Sequence, residues 1–156
     1  MLIMVKTIGE ILTSKKWTLA TAESCTGGLI SAAITDMAGS SQFYKGSIIA
    51  YDNSVKSSLL NVPESTLLTY GAVSCQTVEA MVKGVCNLLQ TDCALSISGI
   101  AGPGGGTAEK SVGLVYIGLK TNDLIQSFEH HFEGNRMQIR TASVKCALLH
   151  LLVSLQ

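Results

Sequence analysis

The chain has 156 residues, 47% hydrophobic and 14% charged, enough to bury one sizeable core and too few for two ordinary domains, so residues 1–156 are expected to form one domain. Eleven Lys and Arg balance eleven Asp and Glu with no dense basic run, which argues against nucleic acid or an anionic membrane as the main partner. Lys6, Glu10, Lys15 and Lys16 interrupt the apolar residues up to Trp17, so neither a signal peptide nor a membrane span is expected there, and the expected location is cytoplasmic.

Val5, Ile8 and Leu12 recur at helical spacing and predict a first helix. A strand follows at residues 18–22, then a helix carrying Leu29, Ile30, Ala33, Ile34 and Met37. Residues 44–51 read as a second strand and residues 53–60 as a helix. Val78, Met81, Val82, Val85, Leu88 and Leu89 form a clear amphipathic stripe. Three more strands are predicted at residues 94–100, 112–119 and 124–132, and a last helix through Ile139, Ala142, Cys146, Leu149 and Val153. Early alternation of strand and helix favours a parallel sheet covered on both faces, while the link at residues 120–123 is too short for a crossover helix and predicts an antiparallel hairpin. The expected fold is therefore α/β, with a mixed, mostly parallel sheet of about five strands.

Four segments carry candidate chemistry. In Glu23-Ser24-Cys25-Thr26-Gly27-Gly28 a strand gives way to a helix, so Ser24 is expected at a helix start, where free N–H groups and the positive dipole end stabilise an oxyanion. Plain N-capping by Ser24 or Thr26 would account for the same residues. The loop Ser98-Gly99-Ile100-Ala101-Gly102-Pro103-Gly104-Gly105-Gly106-Thr107 is glycine-dense beyond the needs of a turn and is read as ligand-binding. It is neither a Walker loop, because Glu109 stands at the second glycine position, nor a dinucleotide fingerprint, because Thr107 stands at the third. Lys56 falls in the first turn of a helix after Tyr51-Asp52-Asn53, where partial desolvation would disfavour its charged form and suit a general base; a solvated helix lysine is the plainer reading. Arg136 and Arg140, four apart, can face one anionic group or simply solvent.

Other polar residues read more plainly. His130 shares a strand face with Phe128 and Phe132 and reads as a core histidine, with His131 and Glu129 opposite, and His150 reads likewise. The cysteines at 25, 75, 86, 93 and 146 are odd in number and form no Cys-x-x-Cys pair, so they are read as reduced, core-filling thiols without a zinc site.

Taken together these segments resemble the CinA C-terminal domain family, whose characterised members include nicotinamide-nucleotide amidases of the PncC type. The resemblance rests on Ala22-Glu23-Ser24-Cys25-Thr26-Gly27-Gly28, Ala38-Gly39-Ser40-Ser41, Tyr51-x-Asn53-x-x-Lys56, Gly71-Ala72-Val73-Ser74, Ser98-Gly99-Ile100-Ala101-Gly102-Pro103 and Gly134-x-Arg136, and covers nearly the whole chain. It implies a three-layer α/β/α sandwich and an amidohydrolase in which Ser24 is the nucleophile, Lys56 the base and Tyr51 a neighbour that orients the proton. Cys25, Thr26, Gly27, Gly28, Asn53, Ser98, Gly99, Gly102, Gly104, Gly105 and Arg136 are the expected substrate contacts.

The implied substrate is the small molecule nicotinamide mononucleotide, hydrolysed to nicotinate mononucleotide and ammonia with no metal or organic cofactor. The chain departs from the family at Ser54, where a glutamate is usual, and at Ala108 and Ser111, where prolines are. Many relatives also carry a pyrophosphatase-type domain that these residues do not include. Two rivals stand beside this reading: a thiol mechanism using Cys25 with His130 or His131, and a non-catalytic nucleotide-sensing or competence-associated interaction module. The apolar excess, with a mean hydropathy of +0.37, leads to the expectation of a homo-oligomer, although a well-filled monomer core gives the same excess.

Overall fold

The computed structural model describes residues 1–122 and 124–156; Asp123, in the expected hairpin link, lies outside the described residues. The elements in chain order are α1 (Leu2–Lys15), β1 (Leu19–Glu23), α2 (Leu29–Thr35), a 3-10 turn (Ser40–Gln42), β2 (Tyr44–Ile49), α3 (Asn53–Leu60), α4 (Glu64–Tyr70), α5 (Cys75–Leu89), β3 (Cys93–Gly99), β4 (Leu114–Thr121), β5 (Leu124–His131) and α6 (Arg136–Leu155). Strand order is β2-β1-β3-β4-β5. β1 pairs in parallel with β2 and β3, whereas β3–β4 and β4–β5 are antiparallel. The sheet is mixed, as expected. "Mostly parallel" describes its strand directions, since β5 reverses β4 and so runs with β1 to β3, but its pairings divide evenly.

Strand alternation sends large and small side chains to opposite faces. On one face Leu19, Leu95, Ile97, Val115, Ile117 and Leu119 pack against α1, α2 and α6 through residues such as Ile8, Leu12, Ile30, Ile34, Leu148 and Leu151. The other face presents Ala20, Ala22 and Ala94 to Leu60 of α3 and to Met81, Val82 and Val85 of α5. These two layers complete a three-layer α/β/α sandwich, each large aliphatic side chain contributing about 1.5–3 kcal/mol on burial. The small face lets α5 approach closely: Ser96 Oγ donates to the Val78 carbonyl at 2.6 Å, and a Cβ on Gly118 would stand 2.7 Å from that same oxygen. Gly84 lies directly against the Leu60 carbonyl, so α3 is drawn down onto α5.

The chain leaves β1 for α2 on one face and returns to β3 from α5 on the other. The carboxyl end of β1 is thus a topological switch point, the usual place for a ligand crevice in an open α/β sheet. Glu23, Ile49 and Gly99 end the three parallel strands there. β2 is shorter than expected because the carbonyls of Ala50 and Tyr51 turn to Lys56 instead of continuing the ladder. α4 was not expected; it buries no residue and therefore has no apolar stripe to read. Among the described residues no helix is long and apolar enough to cross a membrane.

Candidate active site

Ser24 follows β1 directly and is 8% exposed. It does not sit at the helix start that the sequence suggests, because α2 begins only at Leu29. The N-terminal donors of α2 are closed from within by fully buried Glu23, whose carboxylate accepts from Gly28 N–H (3.0 Å), Ile30 N–H (3.1 Å), Ser31 N–H (2.8 Å) and Thr26 Oγ1 (2.6 Å). A negative side chain at that helix end is satisfied by the dipole and the free amides together. The helix start is therefore not open to a ligand.

The turn between Ser24 and α2 is held from the other side by Arg140. Its Nε donates to the Cys25 carbonyl at 3.1 Å and Nη2 to the Thr26 carbonyl at 2.8 Å. Gly27 and Gly28 take φ values of 59° and 99°, the left-handed region that this reversal needs. Gly27 N–H donates back to the Ser24 carbonyl at 3.1 Å, whereas the amides of Cys25 and Thr26 meet no protein acceptor outside their own residues among those described.

Lys56 reaches this turn from α3. Asp52 caps that helix by accepting from Ser54 N–H at 2.8 Å, and Lys56, one turn on, is 1% exposed. Its Nζ lies 3.2 Å from Ser24 Oγ and 2.9 Å from each of the Ala50 and Tyr51 carbonyl oxygens. Burial pulls its pKa below the ordinary 10.5, against the opposing pull of Asp52 and Cys25. Among the described residues no carboxylate lies within ion-pair distance of Nζ. Nζ donates to all three oxygens in this geometry; on loss of one proton the two carbonyl bonds can hold and the lone pair is left to accept the Ser24 hydroxyl.

Ser24 and Lys56 open into a cavity of about 200 Å³. Of the other residues expected at a site, Cys25, Tyr51, Ser98, Gly99 and Arg136 line it. Tyr51 is 61% exposed; its carbonyl, not its phenol, meets the lysine, and its hydroxyl accepts from Arg136 Nη2 at 3.4 Å. Arg136 Nη1 donates to the Gly102 carbonyl at 2.8 Å, so the guanidinium bridges the glycine loop and the end of β2 across the cavity mouth. Ser98 Oγ donates to the Ala72 carbonyl at 2.7 Å and holds one wall rather than facing a ligand.

Seven expected contacts lie outside the lining. Thr26 is fully buried on Glu23, Gly27 abuts Arg140, and Gly28 lies under Ile49 as the cap of α2. Asn53 lines a separate surface cleft with Ser57 and Leu67. Gly102 serves Arg136 through its carbonyl, and Gly104 and Gly105 stand in the exposed part of the loop.

Sequence reasoning missed Ala72, Val73 and Ala101, which complete the lining. It also missed Lys110, whose Nζ donates to the Tyr70 and Val73 carbonyls at 2.6 and 2.7 Å and ties the glycine loop to that wall. The arrangement does not assemble the thiol rival. Burial pushes the Cys25 thiol up to about 12, His130 bonds to His150 instead, and His131 bonds to exposed Glu129.

A family model described as the CinA C-terminal domain matches residues 2–155. The chain belongs to this family. Similar curated proteins are the CinA-like protein of Endomicrobium trichonymphae, 50% identical over 140 residues (90% of this chain and 33% of that protein), and the CinA-like protein of Desulfotalea psychrophila, 46% identical over 147 residues (93% and 35%). The chain thus spans about a third of the length of these CinA relatives. Among solved structures, the competence/damage inducible protein CihA of Agrobacterium tumefaciens superposes with a TM-score of 0.94 at 39% identity, covering 98% of this chain and 93% of that one. A CinA superfamily protein of Enterobacter cloacae gives 0.95 at 30% identity, covering 98% and 90%. The CinA fold therefore extends over the elements that build the Ser24–Lys56 cavity.

Proposed function

We propose that this CinA-family chain is an amidohydrolase that releases ammonia from the carboxamide of nicotinamide mononucleotide, leaving nicotinate mononucleotide. The observation that carries this reading is the 3.2 Å approach of Lys56 Nζ to Ser24 Oγ at the wall of a cavity, with both other Nζ partners being carbonyls. Neutral Lys56 takes the Ser24 proton as Oγ forms a bond to the amide carbon, and the carbonyl π pair moves to oxygen. The amides of Cys25 and Thr26 receive that oxyanion; Arg140 fixes the peptide plane of the Thr26 amide through the Cys25 carbonyl, and Gly27 N–H fixes that of the Cys25 amide through the Ser24 carbonyl. The C–N bond then breaks, protonated Lys56 gives its proton to the departing ammonia, and the oxyanion collapses to a Ser24 ester. Lys56, neutral again, activates a water that hydrolyses the ester and restores the hydroxyl. These steps call on no metal or organic cofactor.

The cavity volume, about 200 Å³, is below the roughly 300–1,000 Å³ of pockets that enclose a drug-sized ligand, so it suits the pyridine carboxamide with ribose and phosphate extending to the mouth. Arg136 stands there as the cation for the phosphate, and binding of that remote group orients the amide on Ser24. The test is ammonia release from nicotinamide mononucleotide by the purified chain and its Ser24→Ala variant, with nucleotide binding measured in parallel. Turnover should fall by at least about a thousandfold in the variant while binding persists. Undiminished ammonia release by Ser24→Ala removes Ser24 from the chemistry. Binding without any release by the wild type favours the nucleotide-sensing module instead.

A further inference from the structure

Away from the Ser24–Lys56 cavity, three metal-ligating side chains meet where β5 packs against α6. His130 shares its strand face with Phe128 and Phe132, which pack into the α6 side of the core, while Cys146 and His150 stand one helical turn apart on α6. His130 Nε2 lies 2.9 Å from His150 Nε2 and 3.4 Å from Cys146 Sγ. One donor atom from each of the three falls within 4.8 Å of the others. Phe128 stacks on the His150 ring with centroids 3.7 Å apart, and Phe132 stacks on His130 at 5.4 Å, so neighbouring rings fix both imidazole planes. Cys146 is ten residues, or about 15 Å along α6, from Arg136, and none of the three residues lines the cavity.

A hydrogen-bonded histidine pair beside a core thiol would account for the contacts in isolation. The donor set and spacing go further. Around a tetrahedral ion with metal–nitrogen bonds of about 2.0–2.1 Å and metal–sulfur bonds of about 2.3 Å, neighbouring donors stand roughly 3.3–3.6 Å apart. The separations of 2.9 and 3.4 Å therefore need only a few tenths of an ångström of opening, while the Cys146–His150 pair, within 4.8 Å, has to close by no more than about 1.3 Å. Nitrogen and sulfur donors favour zinc-like cations over calcium or magnesium, and the nearest carboxylate in sequence, Glu129, is engaged by Tyr116 and His131. Burial favours the neutral ring at His130 and His150 but the protonated thiol at Cys146, so an ion bound here has to displace that proton. All three side chains are half-buried, which leaves a fourth position for water or a small ligand.

We infer that His130, Cys146 and His150 form a binding site for a thiophilic divalent cation of the zinc type, held by two imidazole nitrogens and one thiolate. Binding forms two metal–nitrogen bonds and one metal–sulfur bond, displaces water from the hydrated ion and releases the Cys146 S–H proton to solvent, with no change of oxidation state. The ion clasps edge strand β5 to the helix whose first turns carry Arg136 and Arg140. It is a stabilising clasp, separate from the Ser24 chemistry.

The test titrates cobalt(II), then zinc(II), into the full chain after chelation. One cobalt per chain should appear with tetrahedral d–d bands and a thiolate-to-cobalt charge-transfer band, both removed by zinc, and zinc at a hundredfold excess over its Kd should raise Tm by roughly 5–10 °C. Cys146→Ser should abolish the charge-transfer band, His130→Gln and His150→Gln should each weaken binding roughly a hundredfold or more, and Cys75→Ser should change nothing. A wild type without the charge-transfer band, or binding undiminished in Cys146→Ser and His150→Gln, overturns the site. Alkylation of Cys146 in the wild type, read by peptide mass, gives a check independent of variant folding: saturating zinc should slow it at least about tenfold, and an unchanged rate refutes the site.

Discussion

Replacing Lys56 with Met keeps an apolar stem out to Cε in a side chain that is 1% exposed and removes the amine. The carbonyls of Ala50 and Tyr51 each lose a donor at 2.9 Å, which at about 1 kcal/mol per neutral bond destabilises the fold by about 2 kcal/mol wherever the native amine is neutral. Protonation works in the opposite direction. Burial holds the folded-state pKa of Lys56 below 10.5, so between that lowered value and 10.5 the unfolded chain binds a proton that the folded chain does not. Wild-type stability falls as pH drops through this window and levels off below the folded value, while the Met variant has no such loss.

The stability gap between the two proteins is therefore widest above pH 10.5 and narrows toward neutrality. Urea unfolding of both proteins across that range measures it. Ammonia release by the variant should be lower by about 10²–10⁴-fold, equivalent to about 2.7–5.5 kcal/mol of barrier. A gap that does not change with pH refutes the buried-amine argument, and near-normal turnover refutes Lys56 as the base.

Arg140→Met removes two guanidinium bonds from the turn behind Ser24, and partial solvent access reduces their worth to about 1.5–3 kcal/mol together. Steady-state kinetics should show kcat lower by about 10–100-fold with KM little changed; a pure KM effect would mean that Arg140 serves the substrate instead. Gly84→Ala drives a methyl into the Leu60 carbonyl, which cannot rotate away, and should cost about 3 kcal/mol or more in chemical denaturation. A loss below about 0.5 kcal/mol would mean that α3 slides freely off α5. Cys25→Ala should keep ammonia release near the wild-type rate, because burial pushes that thiol up to about 12 and keeps it protonated at neutral pH; a collapse of activity would make sulfur the nucleophile.

The fold was legible where burial left a period in the sequence. α5 buries Val78, Met81, Val82 and Val85 on one stripe, and the short link before Leu124 announces an antiparallel pair. α4, which buries nothing, left no such trace. Ser24 and Lys56 drew attention because each follows a strand end, and the family resemblance gave them roles. What stayed hidden was the use made of main-chain atoms. Arg140, Lys110 and two hydrogens of Lys56 all serve carbonyl groups turned out by loops, and such acceptors have no signature in side-chain identity. A cation in a sequence suggests an anion; here the partners are peptide oxygens. Likewise the partner of Glu23 is a row of amides whose position depends on where α2 starts, and the sequence placed that start several residues too early.

The contact between Arg140 and Cys25 spans 115 positions of the chain. During synthesis the serine emerges well before the side chain that steadies its turn, which comes from the last helix described, so the candidate site stays unfinished until that helix follows. Competence would then arrive late and all at once, when α6 docks.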